Sequence, residues 1–274
     1  MKNILLASAG ALALCAALST SAMAEVAGTL SGSYAGDTNG DSGDLWSIDG
    51  SLTGLFAPSW GAEVTAGYHN LSDGSTGISS SSDNLDIWNV GGSLFWNNVQ
   101  GRLAATVNYY SASVGPIDLN TTSYGIGGEF YAAPNLTFAV KGGGQTESAS
   151  ALGVSGDDTG GYAGGMAQWY VMPNLSLSGA VDYTGIAGEH TWAETFKGEW
   201  LFSETLPVSI YGGYEHAEAT VNGFGGGTST SGDLFFVGVK LYMNGSGDGT
   251  LVDRQRNGSL GYIAQTPVLG LSAN

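Results

Sequence analysis

Polar and apolar residues alternate along twelve short segments of this chain, and that alternation restricts the folds it can adopt. In one segment Leu103 and Val107 share one parity, whereas Arg102, Thr106 and Asn108 share the other. Successive side chains of a β-strand point to opposite faces of the sheet, so each segment predicts a strand with one apolar and one polar face. The predicted strands are residues 26–35, 45–56, 60–71, 85–96, 101–111, 122–132, 136–145, 160–171, 175–183, 191–202, 208–216 and 233–243.

Most of these segments have about the 9–11 residues that a tilted strand needs to cross a bilayer. After the N-terminal leader no segment approaches the roughly 20 consecutive apolar residues of a membrane-spanning helix. Strands that cross lipid must close into a barrel, because every backbone N–H and C=O there has to be hydrogen-bonded within the protein. The fold class predicted is therefore an all-β, transmembrane, antiparallel up-and-down β-barrel of twelve strands.

The connections between the predicted strands are alternately short and long. The short ones, 57–59, 97–100, 133–135, 172–174 and 203–207, contain four of the six prolines. The longer ones, 36–44, 72–84, 112–121, 146–159, 184–190 and 217–232, are rich in Gly, Ser, Thr and Asp. Short periplasmic turns and longer extracellular loops are typical of outer-membrane barrels, and an even strand count puts both ends of the barrel on the periplasmic side.

All seven tryptophans lie at the ends of predicted strands. Trp60, Trp96, Trp169 and Trp200 are beside the short turns, and Trp46, Trp88 and Trp192 are beside the longer loops. Aromatic side chains favour the membrane–water interface, because the ring is apolar while its N–H needs a polar partner. The two groups therefore predict the two aromatic girdles of a barrel.

The charged residues of the strands predict the inner face. All four basic residues in the strands share the polar parity, and a Lys or Arg facing lipid at mid-depth would cost about 2–4 kcal/mol. The eighth strand is ambiguous, with only Gln168 to orient it. A soluble β-sandwich or solenoid would leave the tryptophan rows unexplained. The pore-lining residues predicted are Asp49, Glu63, Arg102, Glu129, Lys141, Asp182, Lys197, Glu199, Glu215 and Lys240.

Residues 1–24 are predicted to be a cleaved secretory signal peptide. Lys2 supplies the positive end, an apolar stretch follows, and Ala22-Met23-Ala24 is a typical cleavage site. Cleavage removes Cys15, so the mature chain has no thiol for a disulfide or a metal site. It keeps six basic and 24 acidic residues, a formal charge of −18 that disfavours nucleic acid as a partner.

With these features the chain resembles Gram-negative outer-membrane barrels of the porin kind over residues 25–243. Residues 236–243 are similar to the assembly signal in the last strand of such proteins from Gly238 onward, whereas Phe236 departs from it at the polar position. The resemblance implies the bacterial cell outer membrane as location, with a lipid bilayer, lipopolysaccharide and the barrel assembly machinery as partners. It leaves a homo-oligomer open.

The chain continues for 31 residues beyond the last predicted strand, whereas many porins end there. Residues 244–274 are expected to be a periplasmic C-terminal tail or a partial plug, with a further strand as a third option. The periplasmic tail is favoured. In a plug, Arg254 and Arg256 would be expected to meet the acids of the inner wall.

The function predicted is passive diffusion of small hydrophilic solutes through a porin-like channel. Eight strands leave room only for packed side chains and sixteen leave an open channel, so twelve predict a narrow pore. Six acids against four bases on the inner face, together with acidic loops, predict a weak cation preference. Lys197 and Glu199 are expected to form a wall ion pair.

Two other functions remain as alternatives. One is a non-conducting structural or adhesive barrel. The other is an outer-membrane phospholipase, which needs a Ser–His pair at the outer rim, where His216 is the nearest candidate. No enzymatic activity, cofactor or metal is expected, since the calcium-like segments 37–41 and 244–249 have Ile48 and Gln255 where a calcium loop closes with Glu.

Overall fold

Twelve strands form one closed antiparallel sheet in the computed structural model, which describes residues 26–37, 44–71, 85–114, 117–151, 154–186, 188–202, 206–223, 226–243 and 249–266. The strands are β1 (Val26–Asp37), β2 (Leu45–Ala57), β3 (Trp60–Leu71), β4 (Leu85–Asn98), β5 (Gly101–Val114), β6 (Ile117–Ala133), β7 (Leu136–Ala151), β8 (Val154–Met172), β9 (Leu175–Ile186), β10 (Glu189–Leu201), β11 (Val208–Gly223) and β12 (Gly226–Met243). Each strand pairs with its neighbours in sequence, and β1 pairs with β12 to close the barrel. The predicted fold class and strand number are confirmed.

The short connections all lie at one end of the barrel, here called the turn end, and the opposite end is the loop end. At the turn end the strand boundaries agree with the prediction to within one or two residues. The predicted leader 1–24 and the loop residues 38–43 and 72–84 lie outside the described residues.

At the loop end several predicted loops are wrong, because the strands continue through them as hairpins. Strand β7 runs to Ala151 and β8 begins at Val154, so most of residues 146–159 is paired sheet. Residues 112–114 pair with residues 117–119, and residues 217–223 pair with residues 226–232, in the same way. In the β7–β8 extension both faces carry polar residues, so the alternation that predicted the spans is missing there although backbone pairing continues. In the shorter β9–β10 connection, Gly188 adopts a φ of 86°, which favours glycine.

The two faces of the strands lie in different surroundings, as the parity predicted. Leu103 and Val140 are 60% and 64% exposed on the outer surface, whereas Arg102 and Lys141 are 2% and 8% exposed inside. The ambiguous strand β8 is settled by the same measure, because Gln168 is buried inside and Trp169 is exposed outside.

The tryptophans all have the outward parity of their strands. Five of them are clearly exposed on the outer surface, and Trp88 and Trp96 are partly exposed. Strands β4 and β10 carry one tryptophan from each row, Trp88 with Trp96 and Trp192 with Trp200. Eight residues separate each pair, which corresponds to about 27 Å of strand.

The final strand keeps the alternation of the proposed assembly signal. Val237 and Val239 face outward, whereas Gly238 is buried inside. A Cβ at Gly238 would lie 2.4 Å from the ring of Tyr211, so this position has to be glycine for the ring to pack on the wall.

The described part of the C-terminal tail, residues 249–266, lies inside the barrel and not in the periplasm. It begins with the short helix α1 (Leu251–Arg256) and continues into a 3-10 turn at Gly261–Ala264. Thr250 caps α1 by accepting a hydrogen bond from the backbone N–H of Asp253, and its hydroxyl donates to the Asp253 carboxylate. Within the described residues no helix is long and apolar enough to cross a membrane.

The favoured placement of the tail is therefore corrected, and the physical reason lies in its apolar residues. Leu251, Leu260, Ile263 and Ala264 are almost completely buried against the barrel wall. In the periplasm these side chains would be exposed to water, at a cost of about 1.5–3 kcal/mol for each large aliphatic one.

Candidate functional site: the lumen and the tail that occupies it

The wall of the barrel interior, here called the lumen, carries ion pairs between strands that are neighbours or next neighbours. Arg102 pairs with Glu129 at 2.7 Å, Lys141 with Asp182 at 3.0 Å, and Lys240 with Glu199 at 3.7 Å. The partners stand on neighbouring or nearby strands of the same wall, which accounts for their inward parity. These pairs neutralise three of the predicted pore-lining acids.

Arg102 connects the wall to the tail. Its Nε and Nη2 both donate to Glu129 Oε2, at 2.9 and 2.7 Å, which fixes the guanidinium plane. Its remaining N–H groups donate to the backbone carbonyls of Gln255, Gly258 and Ser259 at 2.9–3.2 Å. One buried arginine therefore satisfies one carbonyl of α1 and two of the segment that follows it.

Glu63 contacts the tail without a cationic partner within 4.0 Å among the described residues. Its Oε2 accepts hydrogen bonds from the Thr53 hydroxyl at 2.6 Å and from the backbone N–H of Leu260 at 2.7 Å. The carboxylate lies at the wall just where the tail turns toward the loop end, and it helps to hold that turn.

Tyr262 of the tail lies on a lysine and an aspartate of the wall. The Lys141 ammonium is 3.8 Å from the centre of the Tyr262 ring, and the Tyr262 hydroxyl donates to Asp182 Oδ1 at 2.9 Å. A Cβ at Gly164 would lie 2.2 Å from Asp182 and 2.4 Å from the Tyr262 hydroxyl. The glycine leaves the space that this contact requires.

Helix α1 lies near the turn end and is held by polar and apolar contacts. The Leu251 N–H donates to the carbonyl of Pro173 at 2.8 Å, while its side chain packs with Leu201 and Tyr242. Gln255 donates to Glu199 Oε2 at 3.2 Å, and its own oxygen accepts from Gln168 at 2.9 Å.

The two tail arginines donate hydrogen bonds to backbone carbonyls. Arg256 donates to the carbonyls of Ala133 and Leu136 in the β6–β7 turn, and its guanidinium lies 4.5 Å from the centre of the Tyr131 ring. Arg254 donates to the carbonyl of Gly249 at 3.1 Å. The wall acids close to the tail already have partners, whereas the turn carbonyls have free lone pairs for a planar donor.

Part of the lumen is dry. Leu260, Ile263 and Ala264 pack against Phe95 and Ala104, together with further apolar wall residues. A Cβ at Gly127 would lie 2.8 Å from Ile263 Cβ, so β6 approaches the tail closely. The polar residues of the inner face predicted water along the whole lumen. Near the turn end, however, these apolar wall residues form a surface, here called the seat, on which the tail packs.

Beside the tail a cavity of about 160 Å³ remains. Its wall is mixed, with Ser and Thr hydroxyls, amides and charged groups beside apolar side chains such as Met166 and Leu260. Among the residues that line it are Ser31, Asp49, Ser51, Thr195, Lys197 and Lys240. The cavity leaves room for water molecules between the tail and the barrel wall.

The other predicted pore-lining residues are also on the inner face, with partners that differ in part from expectation. Asp49 lies 3.3 Å from His69, and Glu215 accepts from Thr195 at 3.0 Å. The expected pair of Lys197 with Glu199 is not formed. Glu199 pairs instead across strands with Lys240, and the Lys197 ammonium lies 5.6 Å from the Tyr211 ring centre.

At the loop end the described wall carries acids and no lysine or arginine. On the inward parity Glu147, Asp158 and Glu189 lie on β7, β8 and β10. The pKa of Glu147 is raised above its usual value. Partial burial is the larger cause, and the nearby negative charges of Glu189 and Asp158 add to it. On the outer surface His216 lies 2.8 Å from Asp233, which also accepts from the Tyr214 hydroxyl.

The sequence analysis missed the tail residues that touch the wall, chiefly Gln255, Leu260 and Tyr262. One available signal was Thr250 followed three residues later by Asp253, a capping pattern that predicts a helix start. The other was the cluster of apolar residues 260–264, which a solvated tail would not need.

No family model matches the chain, and no curated protein sequence matches it. Solved structures do match. An outer membrane channel from Pseudomonas putida F1 superposes with a TM-score of 0.52 at 11% identity, covering 80% of this chain and 95% of that chain. The NanC porin gives a TM-score of 0.51 at 10% identity, covering 78% and 98%. The KdgM porin gives 0.49 at 10% identity with the same coverage.

These likenesses define the class of fold. The chain is a closed twelve-stranded barrel with the fold of outer-membrane porins and channels.

Proposed function

We propose that this protein is an outer-membrane channel through which small hydrophilic solutes diffuse passively, with its own C-terminal tail narrowing the passage. The observation that carries the proposal is the cavity that remains between the tail and a wall that presents hydroxyl, amide and charged side chains. Side chains of these kinds can hydrogen-bond to water and to a hydrophilic solute that passes beside the tail.

A bilayer location is supported by the outer surface. Exposed aliphatic and aromatic side chains such as Leu103, Val140 and Val237 lie between the two tryptophan rows. The eight-residue spacing of Trp88 and Trp96 corresponds to about 27 Å of strand, which tilting reduces toward the roughly 25 Å apolar band of such barrels.

The weak cation preference belongs, on this proposal, to the loop end and not to the narrow part of the lumen. The tail brings Arg254 and Arg256 into a lumen whose acids are largely paired, so the constriction is nearly balanced in charge. The acids of the loop end, Glu147, Asp158 and Glu189, have no basic neighbour among the described hairpins and would concentrate cations at the mouth.

Conductance in planar bilayers tests the proposal with the full mature chain and one variant. In the L260D/I263D variant, two carboxylates replace side chains that are 0% and 2% exposed in the apolar seat, so the tail should undock while the barrel wall is unchanged. We expect single-channel conductance to rise above that of the wild type, with cation-selective reversal potentials in a salt gradient.

The N257A variant is the matched control, because Asn257 is an exposed tail residue. It should conduct like the wild type. Anion-selective reversal potentials in both proteins would contradict the proposed selectivity.

A non-conducting structural or adhesive barrel is the second candidate, and the dry seat of the tail favours it. If the tail seals the lumen permanently, neither the wild type nor L260D/I263D will give channels, although both insert into the bilayer. That result would replace the channel by the structural function.

A further inference from the structure

The segment Gly258–Thr266 is held by the wall largely through its own backbone. Its carbonyls at Gly258 and Ser259 accept from Arg102, and its N–H at Leu260 donates to Glu63. Farther toward the loop end, Asn108 Nδ2 donates to the carbonyl of Ala264 at 3.1 Å. In these contacts the wall side chains bind backbone atoms of the tail, which every peptide has, and not a particular side chain.

The last residue of the segment shows the same pattern. The Tyr110 hydroxyl donates to the carbonyl of Thr266 at 3.2 Å and lies 3.3 Å from its backbone nitrogen, which donates to it. Thr266 also exchanges a side-chain hydrogen bond with Ser123 at 2.7 Å. The wall therefore offers both donors and acceptors, as an amide backbone requires.

Three of these wall residues, Arg102, Asn108 and Tyr110, share the inward face of β5. They extend over eight residues, which is about 26 Å of strand. Between them Ala104 has a small side chain and belongs to the apolar patch that receives Leu260 and Ile263. Arg102 is already oriented by Glu129, so this part of the surface is rigid before any ligand arrives.

We propose that this surface, here called the β5 track, is a binding site for short oligopeptides with aliphatic residues, and that the tail occupies it as an internal ligand. The inference rests on the proposed channel function and specifies its solute class. Oligosaccharides lack the closely spaced N–H and C=O groups that Glu63, Arg102 and Asn108 contact, and they have no side chain for the apolar patch.

The test uses the full mature chain carrying L260D/I263D, in which the β5 track is vacated without a change to the wall. The probe is a capped peptide with the sequence of residues 258–266, and its partner is the same peptide N-methylated at the position of Leu260. N-methylation keeps every side chain and replaces by a methyl group the backbone hydrogen of Leu260 that forms the hydrogen bond to Glu63. A neutral linear oligosaccharide of similar length is the third probe.

Binding is measured by fluorescence anisotropy of labelled probes in detergent, and channel block by current recordings. We expect the unmodified peptide to bind and block at about tenfold lower concentration than the N-methylated one, as the loss of a hydrogen bond to a carboxylate implies. The oligosaccharide should be weaker than either peptide.

The N108A substitution in the same background should weaken the unmodified peptide, because it removes the donor to the Ala264 position. Its control is T106A on the same strand and face, since no hydrogen bond from Thr106 to the tail is found in the described residues. If the double variant does not fold, I263D alone vacates the apolar patch and takes its place.

Equal binding of all three probes would overturn the oligopeptide site, even where the channel conducts. Absence of conductance with peptide binding intact would instead overturn the channel function and leave the β5 track as a peptide site. The two failures are thereby separated.

Discussion

The Lys141 ammonium of β7 lies 3.8 Å from the ring centre of Tyr262 in the tail, so a charge of the wall rests on an aromatic face of the segment that fills the lumen. The same lysine pairs with Asp182, to which the Tyr262 hydroxyl donates. Lys141, Asp182 and Tyr262 therefore contact one another, and each side chain can be substituted separately.

Substitution of Tyr262 should loosen the tail in two steps. Y262F keeps the ring over Lys141 and loses the hydrogen bond to Asp182, whereas Y262L loses both. We expect a small increase in tail release for Y262F and a larger one for Y262L, since a partly desolvated cation–π contact contributes about 1–2 kcal/mol.

The tail release is measured from the thiol modification rate of a cysteine placed at Ala264, a position that is 2% exposed. Residues 25–274 contain no cysteine, so in a protein made from these residues the label reports one site. Equal rates in Y262F, Y262L and the wild type would contradict the contact.

Removing one member of the Arg102–Glu129 pair should destabilise the barrel more than removing both. E129Q leaves a buried guanidinium without its carboxylate, and loss of one partner of a buried pair typically costs about 3–5 kcal/mol. The double variant R102M/E129Q removes the uncompensated charge, so its free energy of unfolding should lie above that of E129Q.

Denaturant unfolding in lipid vesicles measures this difference, followed by tryptophan fluorescence. The tail provides a second readout. In R102M/E129Q the carbonyls of Gln255, Gly258 and Ser259 lose their donor, so the cysteine at position 264 should react faster although the barrel is folded. A double variant less stable than E129Q would exclude this account.

The barrel could be predicted from the sequence because its two faces lie in different media over each span. Leu103 and Arg102 are neighbours in sequence, yet one is on the outer surface and the other is inside, and parity alone separates them. Proline-containing turns such as Pro134 with Asn135 fixed the turn end to within a residue or two.

The loop end and the tail could not be predicted in the same way. The hairpin of β7 and β8 extends to Ala151 and Val154 with polar residues on both faces, so no periodic pattern marks its pairing. The seat of the tail depends on Phe95, Ala104 and Ala139, which stand on three different strands. Only closure of the sheet brings these residues together, so the sequence of a single segment does not indicate that they are close in space.

A charge placed on the outer face should reveal the apolar medium around the barrel. Val140 is 64% exposed on β7 between the tryptophan rows, and V140R should lower the free energy of unfolding in vesicles by about 2–4 kcal/mol. The control is S150R on the same strand and the same outward face, because Ser150 is exposed on the hairpin beyond the predicted span. That change should cost about 0–1 kcal/mol.

Equal effects of V140R and S150R would contradict a bilayer around the spans. The same pair compared in detergent and in vesicles separates the lipid effect from a general effect of arginine on strand packing.

The acids at the mouth should make both stability and selectivity depend on pH. Burial and the charges of Glu189 and Asp158 raise the pKa of Glu147 in the folded protein. The folded state therefore binds this proton more tightly than the unfolded state, so its contribution to stability is present at low pH. It is lost as the pH rises from the ordinary Glu pKa of about 4.3 through the raised value.

The cation preference should follow the opposite course, since it grows as Glu147 ionises. Reversal potentials recorded over this pH range should show selectivity increasing at a pH above the ordinary range of a glutamate, and E147Q should flatten that rise. D157N is the control, because it removes one charge from the outward face of the neighbouring strand in the same hairpin. If D157N flattened the profile as much as E147Q, the selectivity would depend on total surface charge and not on the inward carboxylates of the mouth.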